Sequence, residues 1–335
     1  MREVSHYEKK EQNLAACRLC PKLCTIRDGK YGFCRVRQNR GGTLYATNYG
    51  KVSSCALDPI EKKPLYQFYP GSQILSLGSV GCNLRCGFCQ NWGIAHDNPP
   101  TRDISPEMAV ELARQQLERG YPNIGIAYTY NEPFMWYEYV RDTARLAREA
   151  GLKNVLVTNG NETPLREILP YIDAMNIDVK GFTDEYYRES CKGRLEPVLR
   201  TVEIVHPRCH VELTTLLVTG LNDSVEEISR LVDWVASLDR EIPLHFSRYF
   251  PNFEVDLPAT PLDTLRKARD IAREKLDYVY IGNAPQLDAN DTVCPECGHN
   301  IITRLGFKAR AVGLEGGKCP VCGRAIRIVG EVTGS

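Results

Sequence analysis

The sequence of 335 residues has no excess of charge of either sign and no long apolar run. Lysine plus arginine and aspartate plus glutamate number 42 each, so the formal net charge is zero. Without a net field, neither nucleic acid nor a membrane surface is an expected partner. No apolar run approaches the roughly 18 to 20 residues of a membrane helix, and the amino terminus, MREVSHYEKKEQNLAA, lacks the apolar stretch of a signal peptide. We therefore expect a cytoplasmic protein.

Cysteine, in contrast, is abundant, with 14 residues. In a chain of this length without an export signal, closely spaced cysteines indicate metal thiolates and not disulfides. Three groups contain most of them: Cys17, Cys20, Cys24 and Cys34; Cys82, Cys86 and Cys89; Cys294, Cys297, Cys319 and Cys322. The single residues Cys55, Cys191 and Cys209 are expected to be buried or unreactive thiols, with a radical relay as the alternative for Cys191.

The middle of the chain alternates between strand-like and helix-like segments. QILSLGSVG predicts a buried strand, and SPEMAVELARQQLERG predicts a helix capped by Ser105. The pattern recurs through about six units, and a last apolar run, DYVYIGN, either closes or extends the sheet. Since parallel strands need a crossover between them, we expect an α/β fold with a partial (β/α)6 barrel. Its functional residues belong at strand ends and in the loops that follow strands.

The segments on either side differ from this middle region in composition. Residues 1–70 are rich in cysteine and turn residues, which predicts a loop-rich extension. Residues 71–288 contain the partial barrel. Residues 289–335 contain CPECG and CPVCG, which predict a separate zinc-ribbon-like or rubredoxin-like domain.

The segment GCNLRCGFCQNW places three cysteines in a CxxxCxxC pattern after the first strand of the series, with Phe88 before the third. Thiolates are the preferred ligands of iron–sulfur clusters, and three of them leave one iron of a [4Fe–4S] cluster open. An open iron is what a cluster that binds a substrate requires. A structural loop or a zinc loop is the alternative, with His96 as the local candidate for a fourth zinc ligand.

The CxxxCxxC segment resembles the defining motif of the radical S-adenosylmethionine (SAM) superfamily, CxxxCxΦC with an aromatic Φ. The resemblance implies that Cys82, Cys86 and Cys89 hold a [4Fe–4S] cluster whose free iron binds SAM. It further implies that one electron splits SAM into methionine and a 5′-deoxyadenosyl radical, which abstracts hydrogen from a substrate.

The same resemblance implies roles for residues at later strand ends. YTYNEP takes the place of the segment that receives the SAM ammonium group, which implies Asn131 and Glu132. VTNG and NIDVK resemble segments of the activating enzymes of glycyl radical enzymes, and imply contacts with SAM or a nearby cation by four residues: Thr158, Asn159, Asp178 and Lys180. A structural Asp178–Lys180 ion pair is the alternative for the last two. In HFSRYFP, His245 either reaches SAM or substrate or is a buried structural histidine.

Over roughly residues 17–283 the chain looks like the AmmeMemoRadiSam system radical SAM protein, a relative of pyruvate formate-lyase activating enzymes. The segments that carry this resemblance are CRLCPKLC, GKYGFC, DPIEKKPLYQFYPGS, YTYNEPFMWYEY, MNIDVKGF and HFSRYFP. It implies Memo-like and AMMECR1-like proteins as partners, together with a reductant such as ferredoxin or flavodoxin.

Three functions remain open from the sequence. The first is hydrogen abstraction from a small molecule or peptide, the second is activation of a glycyl radical enzyme, and the third is a non-catalytic electron carrier or metal-sensing scaffold. The terminal metal domains favour the first over the second, because an activase must leave its barrel mouth open to a large partner.

The two terminal cysteine groups predict further metal sites. The paired CPxCG knuckles, with Cys294, Cys297, Cys319 and Cys322, suit one tetrahedral zinc ion, and rubredoxin-type iron is the alternative. The CxxCxxxC segment with Cys17, Cys20 and Cys24, together with Cys34, suits either zinc or an auxiliary iron–sulfur cluster.

Overall fold

The computed structural model describes residues 1–160 and 164–333. Its centre is a sheet of eight strands, labelled here in chain order: β1 (Ser54–Pro59), β2 (Gln73–Gly78), β3 (Asn123–Tyr128), β4 (Lys153–Thr158), β5 (Ala174–Asp178), β6 (His210–Leu217), β7 (Leu244–Arg248) and β8 (Val279–Gly282). The spatial order of the strands follows their order in the chain. β1 pairs with β2 antiparallel, and every later neighbouring pair is parallel.

The sheet is an open barrel, because β1 and β8 are its two edges. This confirms the predicted partial barrel, and the run DYVYIGN extends the sheet as β8 and does not close it. Side chains in the strand interiors, such as Ile126, Leu156, Ile177 and Leu213, are fully buried. Because both faces of a parallel strand covered by helices are buried, the sequence of such a strand is a nearly continuous apolar run.

Helices connect the parallel strands: α1 (Pro106–Glu118), α2 (Tyr137–Glu149), α3 (Asp184–Ser190), α4 (Glu196–Val205), α5 (Val225–Leu238) and α6 (Leu262–Arg273). Between β4 and β5 the described connection is the short helix Leu165–Ile168 followed by the turn Leu169–Tyr171. The remaining short helical segments are Ile60–Lys62, Trp92–Ala95, Pro133–Trp136 and Pro285–Leu287.

Capping residues explain where three of these helices begin. The side chains of Ser105, Thr183 and Ser224 each accept a hydrogen bond from a backbone N–H in the first turn of α1, α3 and α5. Such a cap satisfies one of the N–H groups that a helix leaves without an internal partner. The predicted helix cap at Ser105 is therefore confirmed.

The amino-terminal region consists of short antiparallel strands beside the barrel. One small sheet contains Arg2–Glu3, Thr43–Ala46 and Arg37–Arg40, and a second contains Tyr7–Lys9, Ala15–Cys17 and Thr25–Ile26. Lys51–Val52 pairs with Arg102–Asp103. The region is tied to α2 by a buried ion pair of 2.6 Å between Arg37 Nη1 and Glu138 Oε2.

The carboxy-terminal region forms its own three-stranded antiparallel sheet from Thr292–Val293, Asn300–Leu305 and Lys308–Ala311. It has a small core of its own, which includes Ile301, Ile302 and Ile326. The chain then returns to the barrel, where Val329 exchanges backbone hydrogen bonds with the segment around Phe68. Residues 334 and 335 of the predicted last domain lie outside the described residues.

Within the described part of the chain, no helix has both the length and the apolar character needed to span a bilayer.

Candidate active site

A cavity of about 660 Å³ opens at the carboxyl ends of the parallel strands. Its wall contains the three cysteines of the central motif and polar side chains that lie within β3 to β7 or follow these strands: Cys82, Cys86, Cys89, Thr129, Asn131, Glu132, Thr158, Asn159, Asp178, Lys180, Thr214, His245 and Ser247. All residues that the sequence assigned to a cluster or to SAM at this end of the barrel therefore share one cavity. Its volume lies in the range of small-molecule sites, about 300 to 1,000 Å³.

The loop that carries the cysteine triplet packs closely against the amino-terminal region. Gly81 has a φ of +89°, and a Cβ there would lie 2.7 Å from the Cys34 carbonyl oxygen. Only glycine combines this backbone conformation with this approach. The loop begins directly after β2, so the strand end fixes where the three thiols project.

The three thiols are poor acids without a cation. Burial raises the pKa of Cys89 to about 11 and raises the pKa of Cys82 well above its usual range. The positive charge of Lys180 opposes this effect and lowers the pKa of Cys86 and Cys89. Thiolates in such a site need a metal centre to compensate their charge, and the donor set, three sulfurs on one loop, fits an iron–sulfur cluster.

Glu132 organises the loops after β3 and β4. Its Oε1 accepts hydrogen bonds from Thr158 Oγ1 at 2.7 Å and from Phe134 N at 3.0 Å, while Oε2 accepts one from Asn159 N at 2.8 Å. Burial raises the pKa of Glu132 to about 7, although these hydrogen bonds favour the ionised form. Oε2 keeps a second lone pair that a cationic ligand group can use.

Two asparagine side chains connect Glu132 to the triplet loop. Asn131 Oδ1 accepts a hydrogen bond from Ser79 N at 2.9 Å, and its Nδ2 donates to Gly81 O at 3.1 Å. Asn159 Nδ2 lies 3.6 Å from Cys82 Sγ and 2.9 Å from Asn83 Oδ1. Asn131 thus holds the beginning of the loop, and Asn159 contacts its first thiol.

Asp178 and Lys180 form an ion pair and also line the cavity. Lys180 Nζ lies 2.9 Å from Asp178 Oδ2, and both side chains are partly exposed. Burial disfavours the charge on Lys180, but Asp178 and the nearby thiolates outweigh it and raise its pKa. The ion pair that the sequence offered as an alternative is therefore present within the cavity wall.

His245 belongs to a buried histidine–glutamate–histidine chain. Its Nε2 lies 2.7 Å from Glu212 Oε2, and His210 Nε2 lies 2.9 Å from Glu212 Oε1. Burial by itself would raise the pKa of Glu212, but the hydrogen bonds with both histidines lower it to about 2. Glu212 thereby fixes the orientation of His245, whose ring forms an edge contact with Tyr66 at 4.7 Å.

Cys191, for which the sequence offered a radical relay as the alternative to a buried thiol, lies beside the triplet. Cys191 is fully buried and hydrogen-bonds with the side chain of Cys86. The backbone after α3 runs along the triplet loop, and Arg85 N donates to Cys191 O at 2.9 Å. No spacing in the sequence links two cysteines so far apart, and only the parallel order of β2 to β5 brings these loops together.

The four cysteines of the carboxy-terminal knuckles come together at one point. Among the described residues they form the one group of His, Cys, Asp or Glu ligand atoms that all lie within 4.8 Å of one another. Cys294 Sγ lies 3.5 Å from Cys322 Sγ, and Cys297 Sγ lies 3.6 Å from Cys319 Sγ. A tetrahedral zinc site with Zn–S bonds of about 2.3 Å places its sulfurs about 3.8 Å apart, so the arrangement is compatible with a zinc-ribbon-like domain.

The four amino-terminal cysteines lie in the wall of a second cavity, which Asn83 of the triplet loop also lines. This wall also contains Arg37, Asn83 and Met135. Cys17, Cys20 and Cys34 are buried, and Cys24 is partly exposed.

Comparison with known proteins agrees with this geometry. Residues 77–235 match the model of the radical SAM superfamily. An uncharacterized protein of Methanocaldococcus jannaschii, MJ0808, is 46% identical over 340 residues, covering 98% of this chain and 100% of that protein. The chain contains a radical SAM domain. It is therefore an enzyme of a family that works with a [4Fe–4S] cluster and SAM.

More distant radical SAM proteins match the barrel. The pyruvate formate-lyase-activating enzyme of Clostridium pasteurianum is 26% identical over 165 residues, which are 47% of this chain and 67% of that enzyme. The structure of Streptococcus suis SuiB bound to S-adenosylmethionine superposes with a TM-score of 0.52 at 14% identity, covering 69% of this chain and 54% of SuiB. At that identity the superposition shows the shared radical SAM fold.

Proposed function

We propose that Cys82, Cys86 and Cys89 hold a [4Fe–4S] cluster, and that the cavity binds SAM and a small-molecule or peptide substrate from which hydrogen is abstracted. The observation that carries this proposal is the single cavity of about 660 Å³, which combines the three thiols with polar side chains from successive strand ends. When bound, the cluster and SAM supply a one-electron cleavage that yields methionine and a 5′-deoxyadenosyl radical.

The side chains around the cluster would orient SAM. In this proposal Glu132 receives the SAM ammonium group on its remaining Oε2 lone pair. Thr158 and Asn159 keep the Glu132 carboxylate in place through their hydrogen bonds to it. Lys180 compensates negative charge near the thiolates and the SAM carboxylate, and Asp178 serves the ribose hydroxyls. In each case a hydrogen-bonding or charged side chain of the protein faces a group of SAM that is complementary to it as donor, acceptor or charge.

The residues in the outer wall of the cavity favour a small or flexible substrate over a folded protein. Gly306 and Phe307, at the tip of the carboxy-terminal hairpin, belong to this wall, as do Tyr66 and His245. A hairpin at the mouth narrows access for a folded partner protein. Activation of a glycyl radical enzyme is the second candidate, since two pyruvate formate-lyase-activating enzymes are among the relatives.

Finer assignments rest on the sequence motifs. We propose that the chain is an AmmeMemoRadiSam system radical SAM protein that acts with Memo-like and AMMECR1-like proteins and receives electrons from a ferredoxin or flavodoxin. We also propose three domains, 1–70, 71–288 and 289–335, of which the first adds the edge strand β1 to the sheet of the second, and zinc as the ion of the last. Support for the zinc comes from four thiols within 4.8 Å of one another.

The proposed activity is tested by anaerobic reconstitution with iron and sulfide, followed by dithionite and SAM. The expected products are methionine and 5′-deoxyadenosine, measured by chromatography and mass spectrometry. Cys86→Ala removes one cluster ligand and should abolish both products. Cys209→Ala, at the opposite end of the sheet just before β6, is the matched control and should leave them unchanged.

Two results would contradict the proposal. One is wild-type protein that contains the reconstituted cluster and makes no 5′-deoxyadenosine. The other is Cys86→Ala protein that forms it at the wild-type rate.

A further inference from the structure

We propose that Cys17, Cys20, Cys24 and Cys34 hold a second iron–sulfur cluster, ligated by four protein thiolates and packed against the loop of the first. This site goes beyond the proposed SAM chemistry and involves none of its residues as ligands.

The spacing of the sulfurs separates a cluster from a single ion. One zinc ion draws four thiols to within about 3.8 Å of one another. The carboxy-terminal knuckles meet this condition, whereas no three of the amino-terminal cysteine sulfurs, all of them in the described part of the chain, lie within 4.8 Å of one another. In a cluster each thiolate binds a different iron, so the sulfurs stand farther apart around a shared space. The four amino-terminal cysteines line one small, shared cavity.

The cavity has a largely apolar wall. Leu19, Ile26 and Met135 contribute to it, and all three are nearly fully buried. An apolar wall excludes water from a cluster and protects it from hydrolysis and oxidation. Cys24 and Phe33 lie on the more exposed side, so one edge of the site approaches the protein surface.

Two buried N–H groups at this cavity have no partner among the described residues. Arg37 is 1% exposed and Asn83 is 1% exposed, and Arg37 Nε and Asn83 Nδ2 make no hydrogen bond. A buried donor without a partner costs about 1 to 3 kcal/mol, so each implies an acceptor that protein atoms do not provide. Cluster sulfides and cysteinyl sulfurs are acceptors of N–H groups, and both residues line the cavity of the four thiols.

Positive charge and backbone donors also lie beside the sulfurs. Arg37 lies close enough to Cys17 and Cys34 for its charge to act on both sulfurs, and it lines the same cavity. The backbone N–H groups of Leu19, Lys22 and Val36 hydrogen-bond with the sulfurs of Cys17, Cys20 and Cys34. Hydrogen bonds to sulfur are among the features by which proteins stabilise iron–sulfur clusters and tune their potentials.

Asn83 connects this site to the triplet. It follows Cys82 directly, lines the amino-terminal cavity, and shares the Asn159 amide with Cys82 Sγ. Asn83 thus belongs both to the wall of the amino-terminal site and to the loop of the triplet. A cluster ligated by four thiolates has no open iron, which makes the second site of the electron-carrying kind.

The test uses the full chain with the triplet replaced, Cys82→Ser/Cys86→Ser/Cys89→Ser, so that only the second site can form a cluster. After anaerobic reconstitution and desalting, this variant should retain about half of the wild type's acid-labile sulfide and iron. Its dithionite-reduced electron paramagnetic resonance spectrum should not change when SAM is added. Adding Cys20→Ser/Cys34→Ser should remove the remaining sulfide, whereas adding Cys55→Ser/Cys209→Ser should not.

Acid-labile sulfide distinguishes the possible occupants, since neither zinc nor rubredoxin-type iron contains it. A triplet variant that is folded by circular dichroism but holds no sulfide would overturn the proposal. Two zinc ions per chain in that variant would instead assign a mononuclear zinc site to the amino-terminal cysteines. Because this result does not depend on SAM cleavage, it stands apart from the test of the proposed enzymatic activity.

Discussion

Two regions with four cysteines each flank the barrel, and they are built in different ways. The carboxy-terminal cysteines lie on two knuckles of a sheet with its own core, and their sulfurs meet within 4.8 Å. The amino-terminal cysteines line a cavity that also needs Asn83 and Met135 from the barrel. The two groups therefore have the same number of thiols but differ in the spacing of their sulfurs and in the origin of the surrounding wall.

The largest loss of stability is expected from substitutions in the carboxy-terminal knuckles. Cys319→Ser/Cys322→Ser removes one knuckle, and a structural zinc site contributes on the order of 10 kcal/mol to the folding of its domain. We expect zinc to be lost and hydrogen exchange to increase across residues 292–311, while the barrel and the acid-labile sulfide remain. Cys55→Ser, an exposed single thiol, is the control. Loss of sulfide with zinc retained would reverse the comparison of the two regions.

An intermediate effect is expected from the ion pair that ties the amino-terminal region to α2. Arg37 and Glu138 are 1% and 2% exposed at the side chain, so Arg37→Met leaves a buried carboxylate without its partner. Breaking such a pair costs about 3 to 5 kcal/mol, measured by urea unfolding under anaerobic conditions. Sulfide binding by the triplet-free variant should weaken as well, because Arg37 lines the cavity.

Arg40→Met is the matched control for Arg37→Met, because Arg40 lies on the same strand and is exposed. We expect its effect to stay within about 0.5 kcal/mol. Equal effects of the two substitutions would show that the amino-terminal region does not depend on the barrel.

The smallest change in stability is expected at the contact between the carboxy-terminal region and the barrel. This change depends on pH. Glu61 lies 3.9 Å from Arg304 with both side chains fully buried, and burial raises the pKa of Glu61 to about 7 despite the charge of Arg304. Because its folded-state pKa is above its unfolded value, the stability it contributes is present below about pH 4.5 and is lost as pH rises through 7. Glu61→Gln removes this titration, so its free energy of unfolding should change less between pH 5 and 8.5 than that of the wild type.

Urea unfolding between pH 5 and 8.5 measures this difference. The wild type should lose stability across the interval more steeply than Glu61→Gln. Glu296→Gln, whose carboxylate is 67% exposed and pairs with Arg324, should follow the wild type. Parallel curves for Glu61→Gln and wild type would mean that Glu61 does not titrate within this contact.

Much of the barrel and its cavity could be predicted from local patterns. Continuous apolar runs identified the strands, and Ser105 marked a helix start that the structure has. Glu132, Asn159 and Lys180 follow parallel strands, and parallel strands present their carboxyl ends at one edge. Their appearance in one cavity follows from that geometry.

Other features depend on contacts between distant segments. The hydrogen bond between Cys86 and Cys191 and the pairing of Glu212 with His245 have no signal in spacing or periodicity. The sequence also has no local signal that residues 54–59 form the antiparallel edge strand β1, because no helical crossover precedes such an edge strand.

By itself, the sequence determined which residues bear metal-binding chemistry and that the chain alternates strands with helices, since ligand type and hydrophobic periodicity are local properties. Only the tertiary structure decided which sulfurs converge on a point, which surround a space, and which buried N–H groups remain without a partner. Those properties are distances between segments far apart in the chain, and they arise when the open barrel brings its loops and both terminal regions together.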